Sequence, residues 1–291
     1  MSHHLRRALR QATAPIAALA LGACVTLTEV PRGLSPESDG ALRIAAIGCA
    51  AVISAPIAGT APALDPRALR VLTWNLHKQD DAGWDRDLAH FLAGADVALL
   101  QEAVLRDDLR ALLAARGLRY TMASAFIYRD VDHGVVTAAT VPPLAVCAER
   151  AVEPLIRIPK TALIAWYALA GRTETLAVVN VHAVNFSLLQ VPYEQQFAAL
   201  VRPLVTHRGP IVFAGDFNTW SDGRLAVLRA TADALGLTAI AFEPDLRTRF
   251  FGQQVDHVMV RGLELVSATT TAVESSDHNP VVVTLRVAVP H

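Results

Sequence analysis

The chain of 291 residues has little lysine and no marked excess of either charge. Lys78 and Lys160 are the only lysines among 26 basic residues, and the formal net charge is −1 at pH 7. This composition counts against tight, non-specific nucleic-acid binding, which uses a basic surface, although it does not exclude a local basic patch. The chain also lacks internal repeats and low-complexity tracts. With 53% hydrophobic residues it has ample material for a globular core.

The N-terminus has no apolar run long enough to span a bilayer as the helix of a folded domain, but it has the pattern of an export signal. The basic segment MSHHLRRALRQ precedes the short apolar run PIAALALGA. Leu21-Gly22-Ala23-Cys24 resembles the bacterial lipoprotein signal, in which a small residue precedes a cysteine that becomes lipidated. We predict a signal peptide over residues 1–23, lipidation at Cys24 and a location in the cell envelope. The alternative is an uncleaved anchor or a wrongly assigned start.

Two further cysteines are present, Cys49 in an Ala-rich stretch and Cys147 in the segment PLAVCA. In an exported protein such a pair can form a disulfide, which here would tie the N-terminal arm to the domain. Two buried free thiols are an alternative of equal weight, since free cysteine is among the most buried residue types.

Residues 24–66 are predicted to be an arm interrupted by prolines, and residues 67–291 a single domain in which strand and helix patterns alternate. Helical patterns separate some of the strands, whereas other strands follow one another directly. This mixture predicts an α/β fold in which two mixed β-sheets pack together with helices outside. Strands such as VALL and IVFAG are apolar on both faces, as expected for sheets covered on both sides.

The strand and helix segments are bounded by glycine, proline and polar residues. Four consecutive strands, from GVVTAATV to ETLAVVNVHAV, are expected to pair antiparallel. The predicted strands are ALRVLTW, ADVALLQ, GVVTAATV, PLAVCA, TALIAWYALA, ETLAVVNVHAV, GPIVFAGDF, QVDHVMVRG, LELVSATTTAV and PVVVTLRVAV, and the predicted helices are WDRDLAHFLAG, LRDDLRALLAARG, PYEQQFAALVRPLVTH and SDGRLAVLRATADALG.

Polar side chains stand at the ends of six predicted strands. By themselves, Asp216 and Asn218 fit an Asx-turn that ends a strand. Because alternate residues of an extended chain point the same way, these two side chains could also face one cavity while Phe217 packs behind them. Six such strand ends are hard to explain as turns, and together they would line a polar pocket. They are Trp74-Asn75, Gln101-Glu102, Asn180-Val181-His182, Asp216-Phe217-Asn218, Asp256-His257 and Ser276-Asp277-His278-Asn279-Pro280.

Hard oxygen ligands without a cysteine cluster suit Mg²⁺ or Mn²⁺ and the hydrolysis of phosphodiesters. Glu102 is the natural principal metal ligand, although it could instead cap the following helix. Asp216 would orient or deprotonate the attacking water, and Asn218 would donate to phosphate.

Two histidines complete this predicted chemistry. Asp256 with His278 would hold an imidazole in one tautomer and raise its basicity. His182 would bind phosphate or protonate the leaving group. A satisfied core histidine is the alternative interpretation of His182.

Five motifs in this order resemble the endonuclease/exonuclease/phosphatase superfamily, which includes deoxyribonuclease I, apurinic/apyrimidinic endonucleases, inositol polyphosphate 5-phosphatases and bacterial sphingomyelinases. The resemblance runs from about Arg70 to Arg286. Within this superfamily, similarity to the YafD-like bacterial branch is carried by the segments VVNVHAVNFSL, GDFNTWS and VDHVMVRGL. The five motifs are TWNLHK, LLQEA, VVNVHA, AGDFN and SDHNPV.

The resemblance implies a four-layered α/β-sandwich with the site at one end of two central sheets. It implies Asn75 and Glu102 at the metal, with Asp277 beside the Asp256–His278 pair as a further metal ligand. His77 stands where some relatives carry an acidic residue, which puts a second metal contact there in doubt, and His257 has no assigned role. No tyrosine occupies the position used in DNA repair, so specificity for abasic sites has no support.

We therefore expect a Mg²⁺- or Mn²⁺-dependent phosphodiesterase or nuclease. One alternative is a phosphomonoesterase or phospholipase-like hydrolase of lipid headgroups, and another is a non-catalytic binding module with the same fold. The expected partner is a phosphate ester, either nucleic acid or a phospholipid or inositol-type compound. A membrane tether and a monomeric state are also expected.

Overall fold

The computed structural model describes Val25–Thr26, Cys49 and residues 62–185, 187 and 189–288. The predicted signal peptide, the lipidation at Cys24 and most of the arm lie outside the described residues. Within the described part of the chain, no helix is long and apolar enough to cross a membrane.

The described chain contains every strand and helix that the sequence predicts, in the predicted order, together with further strands. The strands are β1 (Val25–Thr26), β2 (Leu69–Asn75), β3 (Val97–Val104), β4 (Arg119–Tyr128), β5 (Val131–Ala139), β6 (Ala145–Val152), β7 (Pro159–Ala168), β8 (Thr175–His182), β9 (Ile211–Asp216), β10 (Thr238–Ala239), β11 (Arg249–Phe250), β12 (Gln253–Gln254), β13 (Asp256–Arg261), β14 (Leu263–Thr270) and β15 (Val281–Val287). The helices are α1 (Trp84–Phe91), α2 (Asp107–Ala115), α3 (Val191–Leu204) and α4 (Asp222–Leu235), and a 3-10 turn covers His77–Gln79.

Two mixed sheets form the centre of the molecule. The first has the strand order β1-β4-β5-β3-β2-β15-β14, and the second has the order β10-β13-β9-β8-β7-β6. The pairs β2–β3 and β8–β9 are parallel, and the other pairs in these two sheets are antiparallel. Strands β11 and β12 form a separate small hairpin.

The inner strands β2, β3, β8 and β9 of the central sheets are buried on both faces. In β2, Leu69 and Val71 join the apolar core between the sheets, whereas Leu72 and Trp74 join the cluster under α1 and α2. β9 divides in the same way between the central core and the cluster under α3 and α4. This alternation produces three apolar layers between four layers of structure, which confirms the predicted α/β-sandwich.

The helices cover the outer faces of the sheets with single apolar stripes. In α1, Trp84, Leu88 and Phe91 recur at helical spacing and are buried, and the acidic residues Asp85 and Asp87 occupy the first turn, where the helix dipole favours negative charge. The segment WDRDLAHF therefore folds as a helix because its period matches one buried face.

The two-residue strands β1, β10, β11 and β12 were not predicted, and two larger features of the sheets also differ from the sequence prediction. β4 was not predicted, because its centre, MASA, contains no β-branched or aromatic residue. The strands β5 and β6 follow one another in sequence but lie in different sheets, so the run of four antiparallel strands is broken between them. The later members, β6, β7 and β8, do pair antiparallel.

Cys49 and Cys147 form a disulfide, with 5.0 Å between their Cα atoms. Cys147 belongs to β6 and packs in the apolar cluster between the second sheet and its helices. The disulfide therefore attaches one point of the N-terminal arm to an edge strand of the domain, and the alternative of two free thiols is wrong.

Candidate active site

The polar strand ends meet at one edge of the sandwich. The parallel pairs β2–β3 and β8–β9 each carry their carboxyl ends to this edge, and β13 begins there because it runs antiparallel to β9. A hydrogen bond from Asn75 Nδ2 to Asp216 Oδ2, 3.0 Å long, joins the first sheet to the second. Beneath it, the buried Gln101 donates to Asn180 Oδ1 over 2.7 Å. These two bonds fix how the sheets align at the site.

The segment Gly215–Asn218 combines an Asx-turn with a buried functional geometry. The backbone N–H of Asn218 donates to Asp216 Oδ1 over 2.9 Å, which is the Asx-turn hydrogen bond. However, Asp216 is only 2% exposed, so it is not a surface turn residue. Phe217 points the other way and packs against Phe197 and Phe213.

The amide of Asn218 is already engaged. Its Nδ2 donates to Ala183 O over 3.0 Å and to Asp216 Oδ2 over 3.3 Å. Asn218 also has a left-handed φ of 49°, which is uncommon outside glycine and often marks functional sites. As arranged, this side chain positions the Asp216 carboxylate; its predicted donation to phosphate stays a prediction.

Glu102 is aimed into the site by a β-bulge. The register of β3 and β5 shifts between Leu100 and Ala103, so Gln101 and Glu102 stand opposite a single residue. Glu102 has a φ of 48°, again in the left-handed region. The bulge sends the Gln101 side chain between the sheets and leaves the Glu102 side chain at the edge. Glu102 therefore does not cap α2, whose N-terminal boundary residue is Arg106.

Three basic groups surround the Glu102 carboxylate. Lys78 Nζ lies 2.8 Å from Oε2, and Lys160 Nζ and His182 Nε2 lie 3.6 Å and 3.5 Å from Oε1. Burial opposes ionisation of this carboxyl, but the charges of Lys78 and Lys160 outweigh burial and hold the pKa of Glu102 well below its usual range. Glu102 is thus an anion that already has cationic partners.

His182 is a buried, neutral imidazole. Burial and the neighbouring Lys160 lower its pKa well below the ordinary value. Lys160 Nζ lies 2.8 Å from His182 Nε2, and because an ammonium only donates, Nε2 is the acceptor. Nε2 is also 3.6 Å from Asp216 Oδ2. As arranged, Lys160 rather than His182 carries the proton at this point, and the predicted acid role of His182 stays a prediction.

Asp256 and His278 form a hydrogen-bonded pair beside Asp216. Both carboxylate oxygens of Asp256 lie near His278 Nδ1, at 3.0 and 2.9 Å, and His278 Nε2 lies 3.9 Å from Asp216 Oδ2. Burial lowers the basicity of His278, but Asp256 and Asp216 outweigh burial and raise its pKa well above the ordinary value. Burial raises the pKa of Asp216 to about 6, although His278 pulls it down.

The predicted metal ligands Asn75 and Asp277 both lie beside His77. Asp277 Oδ2 is 3.8 Å from His77 Nε2, and among the described residues Asp277 Oδ1 is a buried oxygen without a hydrogen-bond donor. Asn75 Oδ1 accepts from the backbone N–H of His77 over 3.0 Å. This set of carboxylate and amide oxygens, with one buried oxygen unpartnered, fits a hard divalent cation.

Three residues that were predicted to be catalytic also form a group of possible metal ligands. Ligand atoms of Asp216, Asp256 and His278 lie within 4.8 Å of one another. The hydrogen bond between Asp256 and His278 accounts for much of this closeness, because a shared proton holds the two groups together without an ion.

The structure therefore brings the predicted residues Asn75, Glu102, His182, Asp216, Asn218, Asp256 and His278 into one connected set, with Asp277 reached through His77. Sequence reasoning missed three cations. Lys78 and Lys160 stand out in the sequence as the only two lysines, but neither was assigned to the site. No sequence pattern marked Arg224 as part of the site. In the structure Arg224 is buried, donates to the backbone oxygens of Asn218 and Asn185 over 3.0 and 2.8 Å, and stacks on Trp220.

The two histidines without assigned roles support the site from outside. His77 Nδ1 lies 2.7 Å from Asp81 Oδ2, and its other nitrogen faces Asp277. His257 Nε2 lies 2.7 Å from Thr219 Oγ1, and burial lowers the pKa of His257 to about 4. His257 is thus a neutral residue behind the loop that carries Asn218.

Comparisons with known proteins agree with this geometry. A profile of the Endonuclease/Exonuclease/phosphatase family matches residues 72–278. A UPF0294 protein of Vibrio vulnificus is 41% identical over 217 residues, covering 74% of this chain and 76% of that protein.

Two solved structures have the same fold. An endonuclease/exonuclease/phosphatase from Bacteroides vulgatus has a TM-score of 0.61 at 16% identity, covering 76% of this chain and 99% of that chain. The human Nocturnin catalytic domain has a TM-score of 0.60 at 17% identity, covering 78% and 96%. The profile spans well over half of the sequence and includes every predicted catalytic and metal-binding residue, so the chain belongs to the endonuclease/exonuclease/phosphatase family.

Proposed function

We propose that this protein is a divalent-metal-dependent phosphodiesterase in which water attacks phosphorus. The observation that best supports it is the row of Asp256, His278 and Asp216 at the strand ends, facing the Glu102 carboxylate across the site. This arrangement offers a base, a cation for developing negative charge and an anionic site for a metal within one small volume.

Asp216 is the base in this proposal. A general base works best when its pKa lies near the working pH, and the pKa of Asp216 is raised to about 6 by burial. Asn75 and Asn218 hold its oxygens in place. His278, kept protonated by Asp256, would stabilise the charge on the phosphate oxygens as water attacks.

Glu102, Asn75 and Asp277 would hold the cation, for which Mg²⁺ or Mn²⁺ suits the oxygen donors. When bound, such an ion offsets charge on phosphate oxygens and lowers the pKa of a bound water. These residues would also orient the phosphorus toward Asp216.

The balance of charge favours a diester over a monoester. Four carboxylates face two ammonium groups and one imidazolium, so the site carries one excess negative charge before a divalent cation binds and one positive charge afterwards. A monoanionic phosphodiester neutralises the one remaining positive charge, whereas a dianionic phosphomonoester would leave the site with a net negative charge. The groups are Glu102, Asp216, Asp256 and Asp277, facing Lys78, Lys160 and His278.

The test is hydrolysis by the purified protein with Mg²⁺, Mn²⁺ or a chelator, on supercoiled DNA, RNA, sphingomyelin and phosphoinositides. We expect metal-dependent cleavage of a diester, and we expect Glu102→Gln to abolish it while the melting temperature changes little. Activity and metal affinity of Glu102→Gln equal to wild type would remove Glu102 from the metal site. Absence of hydrolysis on every substrate would favour a non-catalytic binding module.

A lipid substrate is a second candidate because an apolar rim borders the site. The hairpin β11–β12 places Phe251, 81% exposed, beside Trp220, with 6.2 Å between the ring centroids. Trp220 Nε1 donates to Asn185 Oδ1, which connects this rim to the loop after β8. Phe251→Ser is expected to slow cleavage of vesicle-bound lipid and to leave cleavage of a soluble diester unchanged.

We also propose that the protein is exported and works in the cell envelope as a lipid-anchored monomer. The Cys49–Cys147 disulfide supports export, since structural disulfides persist mainly in oxidising compartments. For the anchor, Cys24→Ser is expected to release the protein from the membrane fraction or block its maturation. An unchanged distribution, with no acyl mass on the wild-type chain, would leave only an ordinary signal or anchor.

A further inference from the structure

The chain contains two lysines among its 26 basic residues, and both make ion pairs with Glu102. Every other basic position is arginine. Lysine differs from arginine in carrying a compact, strongly hydrated charge on a flexible stem that can change partners readily. The coincidence of both lysines at one carboxylate therefore points to a role that requires this kind of cation.

The backbone beneath Lys78 is held in an unusual conformation. The residues His77, Lys78 and Gln79 have φ angles of 46°, 59° and 61°, so three successive non-glycine residues lie in the left-handed region. The surrounding structure fixes this turn. Gln79 Oε1 accepts from the backbone N–H of Val104 over 2.7 Å, and His77 pairs with Asp81. Such strained segments concentrate at functional sites.

The two lysines differ in freedom. The Lys160 side chain is 13% exposed and is held between His182 and Glu102. The Lys78 side chain is 48% exposed and has Glu102 as its one ion-pair partner among the described residues. Lys160 is thus a fixed cation inside the site, and Lys78 is a cation at its mouth that can turn away from Glu102.

We propose that Lys78 and Lys160 together bind the oxygens of a phosphoryl group, and that Lys78 alternates between Glu102 and this ligand. Without a divalent cation Lys78 neutralises Glu102; when the cation is bound to Glu102, Lys78 moves to a non-bridging phosphate oxygen. This inference rests on the proposed function, since it assigns the phosphate contacts of that same site.

The ion pair between Lys78 and Glu102 favours this exchange when a divalent cation binds. Lys78 Nζ lies 2.8 Å from Oε2, the distance of a direct ion pair, so a divalent cation and this ammonium compete for the same oxygen. The divalent cation and the Lys78 ammonium also repel one another because both are positively charged. A phosphate oxygen near the metal would then be the anionic partner of the displaced ammonium. Lys160 keeps its bond to His182 in either state.

The test measures two equilibria on the full chain, without using catalysis. The first is Mn²⁺ binding to chelator-stripped protein by calorimetry. We expect Lys78→Met to tighten Mn²⁺ binding about fivefold, because the competing cation is gone, with a smaller gain for Lys160→Met. Arg229→Met, which removes the same charge from an exposed position on α4, should leave the affinity unchanged.

The second equilibrium is inorganic phosphate binding to the Mn²⁺-saturated protein. Lys78→Met and Lys160→Met should each weaken it about tenfold, Lys78→Arg should weaken it less, and Arg229→Met should have no effect. Opposite changes in the two affinities within a single variant distinguish the exchange from a structural defect, which would weaken both. If Lys78→Met does not fold, Lys78→Gln is measured in its place.

Unchanged affinities in the Lys78 variant, or a loss of both, would overturn the proposal. Failure of the proposed function is separable from this result. If no diester is hydrolysed but the two affinities change in opposite directions, the lysine site stands and the catalytic proposal falls. If hydrolysis occurs and neither affinity changes, the catalytic proposal stands and the lysine site falls.

Discussion

Asp216 is the residue in which the site's requirements and the fold's stability are in clearest conflict. It is buried at the end of β9, and the neighbouring Asp256 adds a like charge. Its pKa therefore rises from 3.8 to about 6, even though His278 favours ionisation. A residue kept only for stability would not carry such a charge here, because burial of an unbalanced carboxylate costs folding free energy.

The raised pKa predicts a pH-dependent stability that Asp216→Asn removes. Because the pKa is higher in the folded than in the unfolded state, protonation favours folding, and stability is lost as the pH rises from about 4 through about 6. Above that range the wild type is less stable by up to about 3 kcal/mol. Asp216→Asn should therefore unfold later than wild type in urea at pH 8 and similarly at pH 4, both without divalent metal. A less stable variant at pH 8 would contradict the raised pKa.

The same residue predicts a coupled loss of rate. Asp216→Asn and Asn218→Ala should each reduce kcat about a hundredfold or more, because in the proposed mechanism the base and the group that positions it act on one water. The double variant should lose little more than the worse single variant. Asp222→Ala is the control: this exposed carboxylate accepts from Gln253, outside the site, and its loss should leave kcat unchanged. Full activity with lowered melting temperature in the first two variants would leave only the Asx-turn interpretation.

The pH–rate profile follows from the two shifted groups. Below pH about 6 the rate should rise about tenfold per pH unit as Asp216 loses its proton, and at high pH it should fall as His278 loses the proton that Asp256 and Asp216 favour. A profile of kcat/KM against pH checks both limbs. Loss of the acidic limb in Asp216→Asn would assign that limb to Asp216, whereas its persistence would assign it elsewhere.

At the scale of elements, the strands with apolar residues on both faces could be predicted from sequence, and those without a clear pattern could not. VALL and IVFAG are buried on both sides, so they read unambiguously as central strands. The centre of β4 gives no such signal. The bulge at Gln101–Glu102 was also beyond prediction, because it depends on how β3 pairs with β5, which is a long-range contact. The polar residues at the strand ends could be recognised from the sequence, but the direction in which each side chain points could not.

The junction of β8 and β9 predicts a strict requirement for glycine before Asp216. Gly215 has a φ of 141°, and a Cβ added there would lie 2.1 Å from the backbone oxygen of Val181. Gly215→Ala should therefore lower the free energy of unfolding by about 3 kcal/mol or prevent folding, since the backbone contact cannot relax. Gly171→Ala, with a positive φ but no atom within 4 Å of its Cβ, should cost only about 1 kcal/mol. Equal costs in urea melts would show that the strands can separate locally.

For the whole molecule, the site depends on the alignment of two sheets rather than on either sheet alone. Asn75 and Glu102 come from the first sheet, and His182 and Asp216 come from the second. The sequence predicted that these residues meet, through the order of its motifs. It could not predict that Gln101 and Asn180, read only as strand ends, would instead join the sheets in the interior. Whether a buried amide finds a hydrogen-bond partner depends on residues that are distant in sequence, so the local sequence does not reveal it.

The disulfide allows the contribution of the arm to be separated from that of the site. It links residues 98 positions apart, a long loop whose closure restricts the unfolded chain, and disulfides of this kind typically stabilise by about 2–4 kcal/mol. The double variant Cys49→Ser with Cys147→Ser should therefore unfold at lower urea concentration than the oxidised wild type, and reduction should bring the wild type to the same midpoint. Because Cys147 packs among outer-layer residues rather than at the strand ends, kcat should stay unchanged below the melting transition. A loss of rate with intact folding would mean that the arm helps to form the site.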